Sequence, residues 1–180
     1  MGFQKQATNT LNIAFRGQFL DSNCQNKIVA AVIPSSETIT VGYAVWQVTN
    51  TLAPYQVNQA KGSNAKPLGF FVSLSMSQSA TLGITTSASV TASGVQTVPI
   101  AKSGTIAVVV DRVVGTGAVA QWDNVYIDNA TGAVVVVSAG GAVTGLTKLN
   151  WQFLSESTAL VAGNLVKITN QLNNDTQISA

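Results

Sequence analysis

Short runs of β-branched and apolar residues, cut at close intervals by Gly, Pro, Asn and Ser, recur along the 180 residues, and helical periodicity is nearly absent. That pattern constrains the fold before anything else does. Branched and aromatic side chains suit a pleated surface, and turn formers bound the segments that carry them. The predicted strands are 28–33, closed by Pro34, and 44–49, closed by Asn50, followed by 69–75, 80–86 and 105–114. Then come 124–127, 133–137, 149–154 and 165–169. Between two of these, Asp128-Asn129-Ala130-Thr131-Gly132 predicts a hairpin loop with Gly132 in a left-handed position. Ala162-Gly163-Asn164 predicts a further turn. A spacing of roughly 8–12 residues between turn signals is that of sandwiches and barrels. The expected fold is therefore all-β: a compact antiparallel β-barrel or β-sandwich, a jelly roll included, with an extended N-terminal arm. The arm is placed at 1–16 and a single β domain at 17–180. Within that domain, the Ser/Thr-rich stretch 73–98 reads equally as a loop or as solvated strands.

Some strands, such as Ile106 to Val110, are apolar on consecutive residues rather than on alternate ones. Such a strand is buried on both faces. It has either an inner core plus an outer contact, or a loop laid over the middle of a sandwich. Composition bears on the same point. Only 9% of residues are charged, against a usual share of about 25%. Few charges suit a surface covered by partners, or one made of Ser, Thr, Asn and Gln. The nine cations are scattered and form no basic run, so a nucleic acid is not an expected partner. The N-terminal residues lack the apolar stretch of a signal peptide, and no apolar run approaches the length of a bilayer span. A soluble protein made in the cytoplasm is expected, with no membrane partner. Cys24, the one cysteine, reads as an idle or buried thiol.

The chain has no histidine, which removes the Ser-His-Asp and Cys-His nucleophile systems and the commonest transition-metal ligand. Asp111, Asp123, Asp128 and Glu156 are the carboxylates a glycosidase would need. Asp123 and Asp128 stand at the two ends of a predicted strand, about 17 Å apart on an extended chain. That is beyond either glycosidase geometry, and both read as turn formers. Gly115-Thr116-Gly117-Ala118-Val119-Ala120 fits a loose dinucleotide fingerprint, but no helix opens there, so it reads as a strand-connecting loop. The two N-glycosylation patterns, at Asn129 and Asn174, read as chance, and no calcium loop occurs. The sequence thus gives no catalytic residue, no cofactor and no metal site. Trp46, Trp122 and Trp151 lie in or beside predicted strands, as core residues or as interface anchors.

In order along the chain, several elements resemble one family. They are Met1-Gly2-Phe3-Gln4, Arg16-Gly17-Gln18-Phe19-Leu20-Asp21-Ser22, Thr40-Val41-Gly42-Tyr43-Ala44-Val45-Trp46 and Pro67-Leu68-Gly69-Phe70-Phe71. Next are Lys102-Ser103-Gly104-Thr105-Ile106-Ala107-Val108 and Gln121-Trp122-Asp123-Asn124-Val125-Tyr126 with Thr131-Gly132. Lys148-Leu149-Asn150-Trp151 and Ala162-Gly163-Asn164-Leu165-Val166-Lys167-Ile168 close the series. Together they are similar to the cement, or head decoration, proteins of tailed-phage capsids. Ser73-Leu74-Ser75 departs from that family, which usually carries charged residues there.

The resemblance implies a non-enzymatic virion protein, made in the host cytoplasm and bound to the outer surface of an icosahedral head. It implies two partners, the major capsid protein and other copies of the chain in a dimer or trimer. The candidate capsid or inter-subunit contacts are Phe3, Phe15, Phe19, Trp46, Trp122 and Trp151, with residues 1–15 adding to a neighbour's sheet. A second reading is a fibre or adhesin-type carbohydrate-binding module, with Tyr55 and Trp122 stacking on sugar rings.

Overall fold

The computed structural model describes residues 16–20, 27–48, 55–63, 65–72, 91–93, 96–154 and 156–170. Among these residues the chain forms twelve strands and no helix. The first barrel is closed by five strands: β1 (Lys27–Ile33), β3 (Ala44–Gln47), β4 (Tyr55–Asn58), β5 (Lys66–Phe71) and β7 (Gln96–Ser103). They run in the order β1-β4-β3-β5-β7 and return to β1. The second barrel is closed by β8 (Thr105–Val114), β9 (Asn124–Asp128), β10 (Val134–Val137), β11 (Leu146–Phe153) and β12 (Leu165–Thr169), in the order β10-β8-β12-β11-β9. A small antiparallel pair, β2 (Thr38–Thr40) with β6 (Thr91–Ser93), stands beside the first barrel.

The all-β reading is what the structure has, in its barrel form, with two barrels where one was expected. Both barrels are mixed rather than purely antiparallel: β1 pairs β4, and β8 pairs β10, in parallel. Strands β8 and β12 have the predicted limits, and the hairpin loop and the 162–164 turn form with Gly132 at φ 70° and Gly163 at φ 91°. The predicted strand 69–75 begins earlier, at Lys66, and 149–154 begins at Leu146. Strand 80–86 and residues 1–15 of the expected arm lie outside the described residues. From the Ser/Thr-rich stretch, 91–93 becomes β6 and 96–98 opens β7.

Period-2 burial sorts the side chains of the first barrel into two cores. Val45, Leu68, Phe71, Val98 and Ile100 join Ala31, Ile33 and Val57 in a cluster drawn from that barrel and the β2 region alone. Their strand neighbours Ala44, Trp46, Phe70 and Ala101, with Val72, belong to the other cluster. There they meet Ile106, Val108, Val110, Ile127, Val134, Trp151 and Phe153 of the second barrel. One contact across the seam is edge-to-face, the Phe70 and Trp151 ring centroids being 5.1 Å apart at 78°. An aromatic side chain that buries 150–250 Å² at about 25 cal/mol/Å² gains about 4–6 kcal/mol, an upper figure. For β3, β5 and β7 the outer contact therefore lies inside the molecule: it is the second barrel.

Two polar ties fix the seam. Strands β7 and β8 are joined by Gly104 alone, at φ 136°, so one nearly continuous strand passes from barrel to barrel. Asn170 holds that bend: its Oδ1 accepts from the Gly104 amide at 2.9 Å and its Nδ2 donates to the Lys102 carbonyl at 2.6 Å. On the hairpin, Ala44 N–H donates to the Gly132 carbonyl at 2.8 Å and Lys61 N–H to the Asn129 carbonyl at 2.7 Å. Gly132 has no room for a side chain, since a Cβ would stand 2.2 Å from the Ala44 oxygen.

Both ties are testable. Gly132→Ala forces a left-handed backbone and that clash together, and is expected to cost about 2 kcal/mol or more. Asn170→Ala strands a partly buried amide and carbonyl, for about 1–3 kcal/mol. Each kcal/mol lowers Tm by about 2–4 °C in a chain of this size. Thermal unfolding that leaves both variants at the parent Tm would show that these contacts do not hold the barrels together.

Candidate docking surface

The carboxylates are structural where they are paired. Asp123 Oδ2 accepts from the Ala120 amide at 2.7 Å, closing the turn 120–123. Asp128 Oδ1 accepts from the amides of Ala130 and Thr131 at 2.8 and 3.2 Å, and its Oδ2 meets Arg112 at 2.8 Å. They sit at opposite ends of β9, and the turn-forming role read from the sequence is the one they have. The Arg112 pair is half exposed and contributes at most about 1 kcal/mol. Asp111 accepts weakly from the Tyr43 hydroxyl, at 3.4 Å. Among the described residues no group of three or more His, Cys, Asp or Glu is placed to hold a metal ion.

The six candidate contact residues separate by burial. Phe3 and Phe15 lie outside the described residues. Trp46 and Trp151, 1% and 4% exposed, are in the shared core. Phe19 is half-buried against that core and bridges to Ile106. Trp122, at 36%, is the exposed one. It is also the one non-glycine residue at positive φ (73°) among the described residues. Its amide donates to the Phe153 carbonyl at 2.8 Å and Asp123 N–H bonds Ala120 O at 3.1 Å, so the turn is held on both sides. A bulky residue in that conformation costs about 1–2 kcal/mol that glycine would avoid. Nothing in the sequence announces it, because the glycines that mark such positions stand earlier, at 115 and 117. Tyr55 belongs to the first barrel, where the Lys102 ammonium lies 5.5 Å from its ring centroid, so the structure does not bring it together with Trp122.

The end of the second barrel reached by β8 at Val114 carries an open groove of about 800 Å³. Its walls are the loops after β8, β10 and β11, and its lining is mostly small: Ala118, Ala120, Ser138, Ala139, Ser157 and Thr158. The walls are tied to one another. Val119 and Ser157 exchange both amide bonds at 2.9 Å, Leu160 N–H donates to Gly117 O at 2.8 Å, and Ser138 Oγ donates to Ala118 O at 3.1 Å. Asp123 and Glu156 line the groove, and the loop segments 115–123, 138–142 and 154–164 contain no Lys or Arg. This end is acidic although the chain as a whole carries +2. Trp122 precedes Asp123 at the groove, and Val161 is exposed in the next loop.

The root of the N-terminal segment, with Gly17 buried and its neighbours half-buried, lies against β8. Gly17 N–H donates to Ala107 O at 2.7 Å, Ala107 N–H to Gln18 O at 3.0 Å and Leu20 N–H to Thr105 O at 2.9 Å. The root therefore adds an antiparallel stub to the first residues of β8. Arg16 then crosses to the first barrel. Its stem fills the space a Cβ of Gly42 would occupy, and its guanidinium lies 4.9 Å from the Tyr43 ring centroid.

Residues 3–171 match the sequence model of a family described as "Structural cement protein (E217 gp24/Pam3 gp6)". Among solved structures, the fold is similar to a chain of "The capsid of Myoviridae Phage XM1", with TM-score 0.56 and 13% identity. That match covers 87% of this chain and 89% of the other. At such identity the likeness is one of fold alone. No curated protein matches the chain.

The burial contrast predicts a contrast in stability. Trp46→Ala is expected to cost about 3–5 kcal/mol by opening the shared core. Trp122→Gly is expected to cost clearly less than that, because relief of about 1–2 kcal/mol of left-handed strain offsets part of the lost packing of a side chain that is already 36% exposed. Denaturant midpoints measure both. Equal losses in the two variants would contradict the assignment of Trp122 to the surface.

Proposed function

The chain belongs to the phage structural cement protein family, and from that premise we propose that it binds the outer surface of an icosahedral head and bridges neighbouring major capsid protein subunits. The family match over residues 3–171 carries the reading, because it takes in the N-terminal segment and both barrels together. The work is mechanical rather than catalytic, and it is done in the virion by a protein made in the host cytoplasm. The expected partners are the major capsid protein and further copies of the chain, with neither nucleic acid nor membrane among them.

Several features support this reading. Cement acts by binding the assembled shell better than its separated subunits, so every contact stabilises assembly by mass action. A shell offers the same contact many times, and modest individual affinities multiply through linkage. A protein for that task needs contact points held at a fixed separation. Two barrels joined through a common core supply it. Trp122, kept at the surface in a strained turn, has the chemistry of an interface anchor.

The test is to add the purified chain to matching heads that lack it. Co-sedimentation with the heads and added density on the outer shell, between major capsid subunits, are the expected results. Heads carrying the protein are also expected to survive heating or DNA pressure that bursts bare ones. Trp122→Ala is expected to weaken binding without unfolding the chain. Absence of binding, or density on the inner surface only, would sink the proposal.

A further inference from the structure

We propose that a cavity on the first barrel, with Trp46 at its floor, binds a neutral carboxamide on a short alkyl stem, the chemistry of an Asn or Gln side chain. The inference stands apart from the cement reading and does not rest on it.

The cavity has a volume of about 190 Å³ and lies where β3 pairs with β4, under the loop that follows β4. Trp46 and Asn58 stand directly opposite each other in that antiparallel pair, so their side chains leave the sheet on one face. It is the face on which Trp46 meets the shared core, and Ala65, packed against that core, is one wall. Ala60, Gly62 and Ser63 form an exposed rim, whereas Trp46 is 1% exposed. The cavity therefore runs from solvent to a buried floor.

Two polar atoms of these residues are left over by the fold. Trp46 Nε1–H, a donor, and Asn58 Oδ1, an acceptor, are both buried without a hydrogen-bond partner among the described residues. They do not bond to each other, although their residues face across the strand pair. Buried polar groups in native proteins are nearly always paired, and an unpaired one is destabilising. One group that carries an acceptor and a donor side by side pairs both, and a carboxamide has that arrangement. A carboxylate has no donor for Asn58. An ammonium has no acceptor for the indole, and it would also be repelled by Lys61, whose own ammonium lies 5.2 Å from the Trp46 ring centroid. Val48, Ala60 and Ala65 supply apolar wall for the stem.

The indole N–H signals of the full-length, nitrogen-15-labelled chain read the site directly, since three tryptophans give three signals. Propanamide is expected to shift the Trp46 signal saturably, with a Kd of about 10 mM, and to leave those of Trp122 and Trp151 in place. Butanone has the same shape and the same acceptor but no donor. It is expected to bind at least about tenfold more weakly, since it leaves Asn58 unpaired. Asn58→Val removes the acceptor and is expected to abolish that preference for propanamide. Gly62→Phe is expected to keep the parent Tm, because a Cβ at Gly62 meets nothing within 4 Å, and to abolish the response by filling the mouth.

A Trp46 signal that stays in place at about 100 mM propanamide, ten times the expected Kd, would overturn the inference. So would equal binding of butanone, or a response that survives Gly62→Phe. A side chain of the shell protein and a free small amide present the same chemistry, and competition separates them. Propanamide that displaces the parent chain from heads assigns the cavity to a shell side chain. Saturable binding that leaves head binding unchanged assigns it to a free amide. Failure here is separable from failure of the cement reading. A chain that decorates heads but ignores propanamide defeats only the cavity, whereas one that binds propanamide but ignores heads defeats only the cement function.

Discussion

The structure depends on one hydrophobic seam, in which the outward residues of β3, β5 and β7 are buried by the second barrel. Trp46 and Phe70 on one side and Trp151 and Phe153 on the other make it an aromatic contact, not a sliding polar one. A five-stranded barrel is small, and its interior alone holds few side chains. The first barrel's own cluster is built largely of Val, Ile and Leu, with a single Phe. The larger cluster is the shared one. Burial of both faces of the same strands is thus the physical answer to a chain with abundant apolar residues and few charges. Part of the surface that composition suggests should be covered is covered by the chain itself.

The seam also sets where everything else stands. Because β7 runs into β8 through Gly104, with Asn170 bonded to both sides of the bend, the barrels cannot hinge there without breaking buried packing. The root at Gly17–Leu20 is sewn to the start of β8, and the groove lies beyond its end. The root and the groove are therefore held at opposite ends of one strand. A bridge between subunits needs that separation to be constant from copy to copy, and a common core provides constancy that a linker would not.

How much of this is legible in the sequence depends on the range of the forces involved. Strands β8 and β12 are fully legible, since Ile106 to Val110 is a continuous apolar run, Leu165 to Thr169 is rich in branched residues, and Gly104 and Asn164 bound them. The hairpin at 128–132 is legible because Asp128 and Gly132 dictate it locally. Strand β7 is hidden by Pro99, which reads as a stop. Pro99 is tolerated because its carbonyl still accepts from Val72 N–H at 3.1 Å and the strand bends around a closed barrel. Strand β4 is hidden because only Val57 of its four residues is buried. The split into two barrels is invisible for a different reason. Parallel pairings such as Ala31 with Tyr55 join residues far apart in sequence, and no local period encodes them. The aromatics were legible as a set, but only burial separates Trp122 from Trp46 and Trp151.

Trp122 shows what the fold leaves unexplained on its own terms. Its turn is closed by backbone bonds to Phe153 and Ala120 and by the Asp123 carboxylate, none of which uses the indole. Glycine would make the same bonds without the left-handed penalty. Packing of the buried part of the side chain offsets that strain, while 36% of the residue faces solvent. The surrounding loops are poor in charge and tied to one another, and Trp122, Val143 and Val161 are their exposed large apolar side chains. The turn that carries Trp122 is tied through Phe153 to the shared core, so the exposed part of the indole is held at a fixed place on the second barrel.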